Sequence, residues 1–209
     1  CGIFALLNHL KYKEKGQVLK QETDTVRKCF MKGVNRGPEK SNFQVHPTED
    51  VLLGFHRLAI NGYGNVLSDQ PLCLSNCILI CNGEIYNWKQ LSEQANISCS
   101  SGSDCEIIIH LYKKYGMDQT LQMLDGVFAF VLWDRSTNNI YVARDTYGVR
   151  PLFMWTFTNF YQKPIFQFAS EMKMGIPHGD NHTIVKQFPP GHLMTFFFSH
   201  TKEFQLMEE

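Results

Sequence analysis

The stretch on which the fold turns is Cys1-Gly2-Ile3-Phe4-Ala5-Leu6-Leu7. Its apolar, β-prone residues from Ile3 onward read as a short buried strand. At its head, Cys1 joins a thiol and an α-amino group in one residue. A free thiol titrates near ~8.5 and an α-amino group near ~7.7 to 8.0. At neutral pH an appreciable fraction of that amine is therefore unprotonated, able to take the thiol proton and later return it to a leaving group. This is nucleophilic catalysis in which an N-terminal amine stands where other enzymes use histidine. Gly2, lacking Cβ, lets a substrate come close to the backbone. A bare terminal cysteine is weak evidence alone, because any cut in a longer chain leaves a new terminus. The remaining sequence has to carry the reading.

With 209 residues, 44% hydrophobic and 13% aromatic, the chain can bury a substantial core in one large domain or layered αβ unit. Lys plus Arg and Asp plus Glu balance at 20 each, so no global field recruits nucleic acid or an anionic membrane. The expected ligand is small and locally recognised. No apolar run approaches the ~20 residues of a transmembrane helix and no signal peptide is visible, so a cytoplasmic protein is expected. Seven cysteines cannot all pair in a secreted framework. Cys73, Cys77 and Cys81 recur every fourth residue, which on one strand puts all three on one face. The CxxC, histidine and HExxH spacings of metal sites are missing, and no metal is expected. Asn96-Ile97-Ser98 and Asn181-His182-Thr183 match the glycosylation sequon and read as accidental. Without a GxxxxGK[ST] or SGG-type loop, no nucleotide site is expected in this chain.

Residues 8–16 read as a polar loop. From residue 18 to 34, Leu19, Val26, Cys29, Phe30 and Val34 recur at helical spacing, up to the turn cluster Asn35-Arg36-Gly37-Pro38. Residues 40–50 look like an exposed loop. Strands are expected over 51–60 and 76–82, the second ending in an Asn82-Gly83 turn, with a short helix over 88–95. Ser103 and Glu106 form a capping-box pattern for a helix that buries Ile107, Ile108, Leu111, Tyr112 and Tyr115 and stops at Gly116. A short helix over 118–124 precedes a hairpin of strands 127–134 and 139–145, and further strands follow near 152–157, 165–169 and 192–198. Antiparallel strands mixed with a few amphipathic helices indicate an α+β, layered αββα fold with no internal domain boundary.

Five positions near these ends have a functional reading beside an ordinary one. Arg57, closing the second strand, is either a solvated charge or a bidentate fork for a substrate carboxylate. Asn82 and Gly83 are either a plain hairpin turn or an amide and a backbone N–H aimed together as an oxyanion hole. Glu84 adds a carboxylate suited to an ammonium group. Asp104, in the first turn of its helix, is accounted for by the helix dipole or by a substrate amine. His110, mid-helix, reads as packing or surface.

CGIFALL, FHRLAI, CNGEIYN, SGSDCEIIIHLY, LDGVFAFVLWD, ARDTYGVRPLF, FASEMK and FPPGH occur in the order found in the N-terminal glutaminase domain of asparagine synthetases, which the chain resembles over essentially its whole length. That domain is a class II glutamine amidotransferase of the N-terminal-nucleophile (Ntn) hydrolase fold. The CGI start is shared with other amidotransferases, such as the glucosamine-phosphate and phosphoribosylamine enzymes; SDCEIIIHLY and RDTYGVRPLF point to asparagine synthetase. A non-catalytic module on the same fold stays open as the alternative of another class.

The resemblance implies a four-layer αββα sandwich of two antiparallel sheets flanked by helices, with residues 1–209 as one glutaminase domain. Cys1 would attack the glutamine amide to give a γ-glutamyl thioester, with Asn82 and Gly83 as oxyanion hole. Arg57 would bind the α-carboxylate, helped by backbone groups of Leu58 and Ile60, and Glu84 and Asp104 would hold the α-ammonium. No cofactor is implied for this step. ATP and Mg2+ would serve a C-terminal synthetase domain in cis, which the chain ends short of and which would convert aspartate to asparagine; a homodimer is a further arrangement the resemblance allows. One departure is Asn35-Arg36-Gly37-Pro38-Glu39, where the family commonly has HRGPD.

Overall fold

A computed structural model of the chain describes residues 1–9, 20–62, 64–158, 163–177, 183–199 and 203–208. Its elements run β1 (Gly2–Leu7), α1 (Lys20–Met31), β2 (Lys40–His46), β3 (Val51–Arg57), β4 (Leu72–Leu74), β5 (Cys77–Ile85), α2 (Trp88–Ala95), α3 (Glu106–Tyr115), α4 (Met117–Met123), β6 (Gly126–Asp134), β7 (Asn139–Arg144), β8 (Phe153–Thr158), β9 (Pro164–Ala169), β10 (Ile184–Gln187), β11 (Leu193–Phe198) and β12 (Phe204–Glu208). They make two six-stranded antiparallel sheets, ordered β10-β8-β9-β1-β3-β2 and β12-β11-β7-β6-β5-β4.

Strand alternation builds the layers. On β1, Ile3, Ala5 and Leu7 face the second sheet, where they meet Ile80, Val131 and Phe196 in a shared core. Phe4 and Leu6, on the opposite face, pack under α1 against Val26 and Phe30. On the outer face of the second sheet, Leu79, Cys81 and Phe130 lie under Leu91 of α2, Ile107 and Leu111 of α3 and Met117 of α4. The order helix, sheet, sheet, helices is the four-layer αββα sandwich expected. No helix among the described residues is long and apolar enough to cross a membrane.

Several local expectations are corrected. Residues 40–50 are not a loop throughout: Lys40–His46 pairs with β3 along its whole length as an edge strand, and Phe43 and Val45 alternate inward between polar neighbours. Asn82-Gly83 is not a turn, because β5 runs on to Ile85 in unbroken register with β6. Gly83 opposes Phe128 so closely that a Cβ there would lie 2.5 Å from the Val127 carbonyl oxygen, and glycine serves contact between strands rather than a bend. Cys73, Cys77 and Cys81 do not share one strand: Cys73 is exposed on β4 and the other two are buried on β5. The capping box does not close. Ser103 Oγ accepts from Cys105 N at 3.3 Å, while the Glu106 carboxylate accepts from the N–H groups of Ser100 (3.0 Å) and Ser101 (2.6 Å). Tyr115 is exposed rather than buried.

Elsewhere the boundaries shift only slightly. The helix expected over 18–34 is α1, followed by a 3-10 turn at Val34–Arg36; residues 10–19, with most of the expected loop, lie outside the described residues. Gly116 ends α3 with φ +81° and its N–H on the Tyr112 carbonyl. Asn96 caps α2 in the left-handed conformation, and the Asn181 sequon falls outside the described residues.

Candidate active site

Side-chain parity carries the site to one end of the sandwich. Cys1 extends the inward face of β1 and packs on the inter-sheet core. Arg57 extends the face of Val51, Leu53 and Phe55, and Asn82 and Glu84 extend that of Ile78 and Ile80. Where the apolar core stops, these polar groups begin. Two adjoining clefts open there. One, of about 400 Å³, is lined by Cys1, Arg57, Leu58, Ile60, Gly83, Glu84 and Asp104 among others. The other, of about 680 Å³, shares Cys1, Leu58, Ile60 and Gly83 with it and adds Asn82, Arg36 and Arg150. Every position singled out in the sequence therefore lines one of two clefts that meet at Cys1.

The thiol is placed by the backbone after β3: Cys1 Sγ donates to the Leu58 carbonyl at 3.2 Å and accepts from Leu58 N at 3.5 Å. The α-ammonium of Cys1 has its pKa lowered from 8.0 to about 6, chiefly by burial and then by the positive charges of Arg36 and Arg150, with Glu39 opposing them. At neutral pH this amine is mostly the free base. Arg36 also clamps the residue, its Nε donating to the Cys1 carbonyl at 2.8 Å.

The Asn82 and Gly83 donors both lie on β5. Asn82 is 1% exposed, and its Nδ2 is buried without a hydrogen-bond partner. A buried, unpaired amide N–H costs stability unless something arrives to accept from it. The backbone of β5 supplies a second donor. Cys81 N–H is taken by Gln70 Oε1 (2.5 Å) and Ile85 N–H by Asp104 Oδ2 (2.6 Å), both on the edge turned away from β6. By strand alternation the N–H of Gly83, midway between them, turns to that same edge, where Gly83 lines both clefts with Cys1. Gln70 stands in for a neighbouring strand, since β4 covers only residues 77–79 of β5.

The charged groups are less free than their sequence suggests. Arg57 gives Nη1 to Asp69 and Nη2 to Gly62 O (2.8 Å) and Ser68 Oγ (2.7 Å), so its outer fork is engaged within its own loop. Glu84 is paired with Arg150 at 2.9 Å. Asp104 is 4% exposed. Burial raises its pKa, against the lowering effect of the Ile85 and Asn61 donors, and Glu84 adds to the rise. A raised, buried carboxylate beside a second carboxylate suits an incoming cation.

Sequence reading missed the supports. Glu39 accepts from Ala59 N at 3.2 Å and so ties down the loop of Leu58 and Ile60. Asp145 accepts from the N–H groups of Phe128, Tyr147, Val149 and Arg150, and Arg144 donates to the carbonyls of Gly148, Arg150 and Phe188. That pair holds the 145–150 turn and aims Arg150 at Glu84 and the Cys1 amine. The charged run Arg144 to Arg150 was the available signal, but charge alone does not say what it faces.

The sequence family described as a glutamine amidotransferase domain matches residues 1–205. The chain belongs to that family. Among curated relatives of this amidotransferase, asparagine synthetase [glutamine-hydrolyzing] of Gallus gallus is 45% identical over 127 residues, 59% of this chain and 22% of that protein. Probable asparagine synthetase [glutamine-hydrolyzing] of Acanthamoeba polyphaga mimivirus is 39% identical over 176 residues, 83% of this chain and 30% of that protein. The amidotransferase chain thus spans about a fifth to a third of these relatives. In fold it is similar to the glutamine phosphoribosylpyrophosphate amidotransferase of B. subtilis, with a TM-score of 0.70 at 21% identity, covering 99% of this chain and 49% of that one. The sandwich of two antiparallel sheets is thereby shared with that enzyme.

Proposed function

We propose that this domain hydrolyses L-glutamine to glutamate and ammonia through a thioester on Cys1. The observation that carries the reading is the buried, unpartnered Asn82 Nδ2 at the cleft beside a thiol whose own α-amine titrates near 6. In the first step Cys1 Sγ bonds to the side-chain amide carbon of glutamine, and the thiol proton passes to the α-amine. The carbonyl oxygen, now negative, accepts from Asn82 Nδ2 and Gly83 N–H. The α-ammonium then protonates the departing nitrogen, and ammonia leaves. Water, deprotonated by the same amine, attacks the thioester carbon, the C–S bond breaks, the thiolate regains its proton, and glutamate is released.

Glutamine would be held by its amino-acid end. Asp104 and Glu84 take the α-ammonium, and Arg57, with backbone groups of Leu58 and Ile60, takes the α-carboxylate in place of part of its present contact with Asp69. Fixing that end sets how far the amide reaches, so asparagine, one methylene shorter, leaves its carbonyl short of Cys1. The relatives' names support the part of this reading in which the ammonia serves asparagine formation. The wider proposal is a cytoplasmic protein with a synthetase part in cis that uses ATP and Mg2+, while this half needs no cofactor.

The test is glutamate release from glutamine by the chain with free Cys1, beside Cys1→Ala and a form carrying an extra N-terminal methionine. Activity confined to the free-cysteine protein supports the mechanism. Turnover by a folded Cys1→Ala protein, or by the methionine-bearing form with its mass verified, overturns it. Glutamine binding without turnover by any form would instead establish the non-catalytic module.

A further inference from the structure

Outside the clefts, Cys99, Glu106 and His110 bring a thiol, a carboxylate oxygen and an imidazole nitrogen within 4.8 Å of one another. Glu106 and His110 stand one turn apart on α3, with His110 Nε2 already 3.2 Å from Glu106 Oε1, and Cys99 comes from the loop before the helix. The spacing C-x6-E-x3-H matches no metal signature, and only the return of the loop across the start of α3 assembles it. The geometry points to a zinc-class divalent-cation site formed by Cys99 Sγ, Glu106 Oε1 and His110 Nε2, with water completing a tetrahedron.

Three protein ligands and an open fourth position are a familiar zinc arrangement, with ligand distances of roughly 2.0 to 2.3 Å. Such ligands lie roughly 3.5 Å apart around the ion, so the cluster closes by a small movement of Cys99. Glu106 is nearly buried, and its ion-pair partner among the described residues is His110, with no lysine or arginine on it. Its remaining contacts are neutral donors, the N–H groups and hydroxyls of Ser100 and Ser101. A buried carboxylate so placed attracts a cation. Cys99 and His110 are only partly buried, which leaves an entry path.

The thiol favours zinc or cobalt over magnesium or calcium. Burial and the Glu106 charge push the Cys99 thiol up to about 11, so the ion must displace that proton, which leaves to solvent. Ligation through Nε2 requires the imidazole proton to sit on Nδ1. An ion here would staple the 99–105 loop to α3. That loop carries Asp104, so occupancy would stiffen one wall of the cleft without touching Cys1.

The experiment is titration of the metal-free chain with Co2+, read by its thiolate-to-cobalt charge-transfer absorption, then displacement by Zn2+. Wild type, Cys99→Ala, His110→Ala and Cys1→Ala are compared, because the Cys1 thiol and amine form a competing chelate. The site predicts one ion per chain in wild type and in Cys1→Ala, at least tenfold weaker binding in Cys99→Ala and His110→Ala, and a rise in thermal midpoint with Zn2+ that Cys99→Ala lacks. Absence of the charge-transfer band, or a band lost in Cys1→Ala and kept in Cys99→Ala, overturns it. Should one variant fail to fold, the other still decides by the same band.

Discussion

Two residues give the sharpest tests of the chemistry. The Cys1 amine must be unprotonated to accept the thiol proton, and its pKa is held near 6 by burial and by Arg36 and Arg150. Activity is therefore retained at neutral pH and lost as pH falls through about 6, with kcat/KM dropping roughly tenfold per unit below it. Arg36→Gln removes a positive charge that lowers this pKa, so its acid limb should move to higher pH; a pH profile of glutamate release checks both. At Asn82, rate and stability should part company. Asn82→Ala is expected to lower kcat about 10²- to 10³-fold, the usual cost of losing one oxyanion donor. Its urea midpoint should move little, because Nδ2 gives up no hydrogen bond in the fold. A large fall in stability with unchanged turnover would assign Asn82 to structure alone.

At the scale of elements, eight strands were legible in the sequence and four were not. The missed four, β2, β4, β10 and β12, are the outer strands of the two sheets. Interior strands such as β1 and β6 are covered on both faces and flanked on both sides, so they read as continuous apolar runs. Edge strands need fewer apolar residues: all four of β10 are exposed, and β2 is only partly covered. The Asn82-Gly83 pair misled for a related reason, since the dipeptide that favours a turn sits where two strands press together. Gly83→Ala should accordingly cost about 1–3 kcal/mol by forcing Cβ against Val127 O and Phe128. Urea unfolding checks it, and a stability within 0.5 kcal/mol of wild type, roughly the scatter of a neutral surface change, would contradict the packing argument.

On the scale of the whole molecule, the core between the sheets holds the two halves of the site together. Phe168 is fully buried there, with its ring 6.1 Å from Phe188 and 5.7 Å from Phe196. Phe168→Ala should cost about 3–5 kcal/mol, whereas Val45→Ala, on edge strand β2, should cost under about 1.5 kcal/mol; paired urea titrations compare them. By itself the sequence determined the interior strands, the helices and the residue types available for the proposed chemistry at Cys1, because local periodicity and the reactivity of a side chain are properties of short segments. Only the tertiary structure decided which charges face the Cys1 amine, that Arg57 is engaged by Asp69, that Gln70 and Asp104 complete the open edge of β5, and that Cys99 meets His110. Those facts are distances between segments far apart in the chain, and burial, Coulomb interaction and hydrogen bonding depend on distance in space rather than along the sequence.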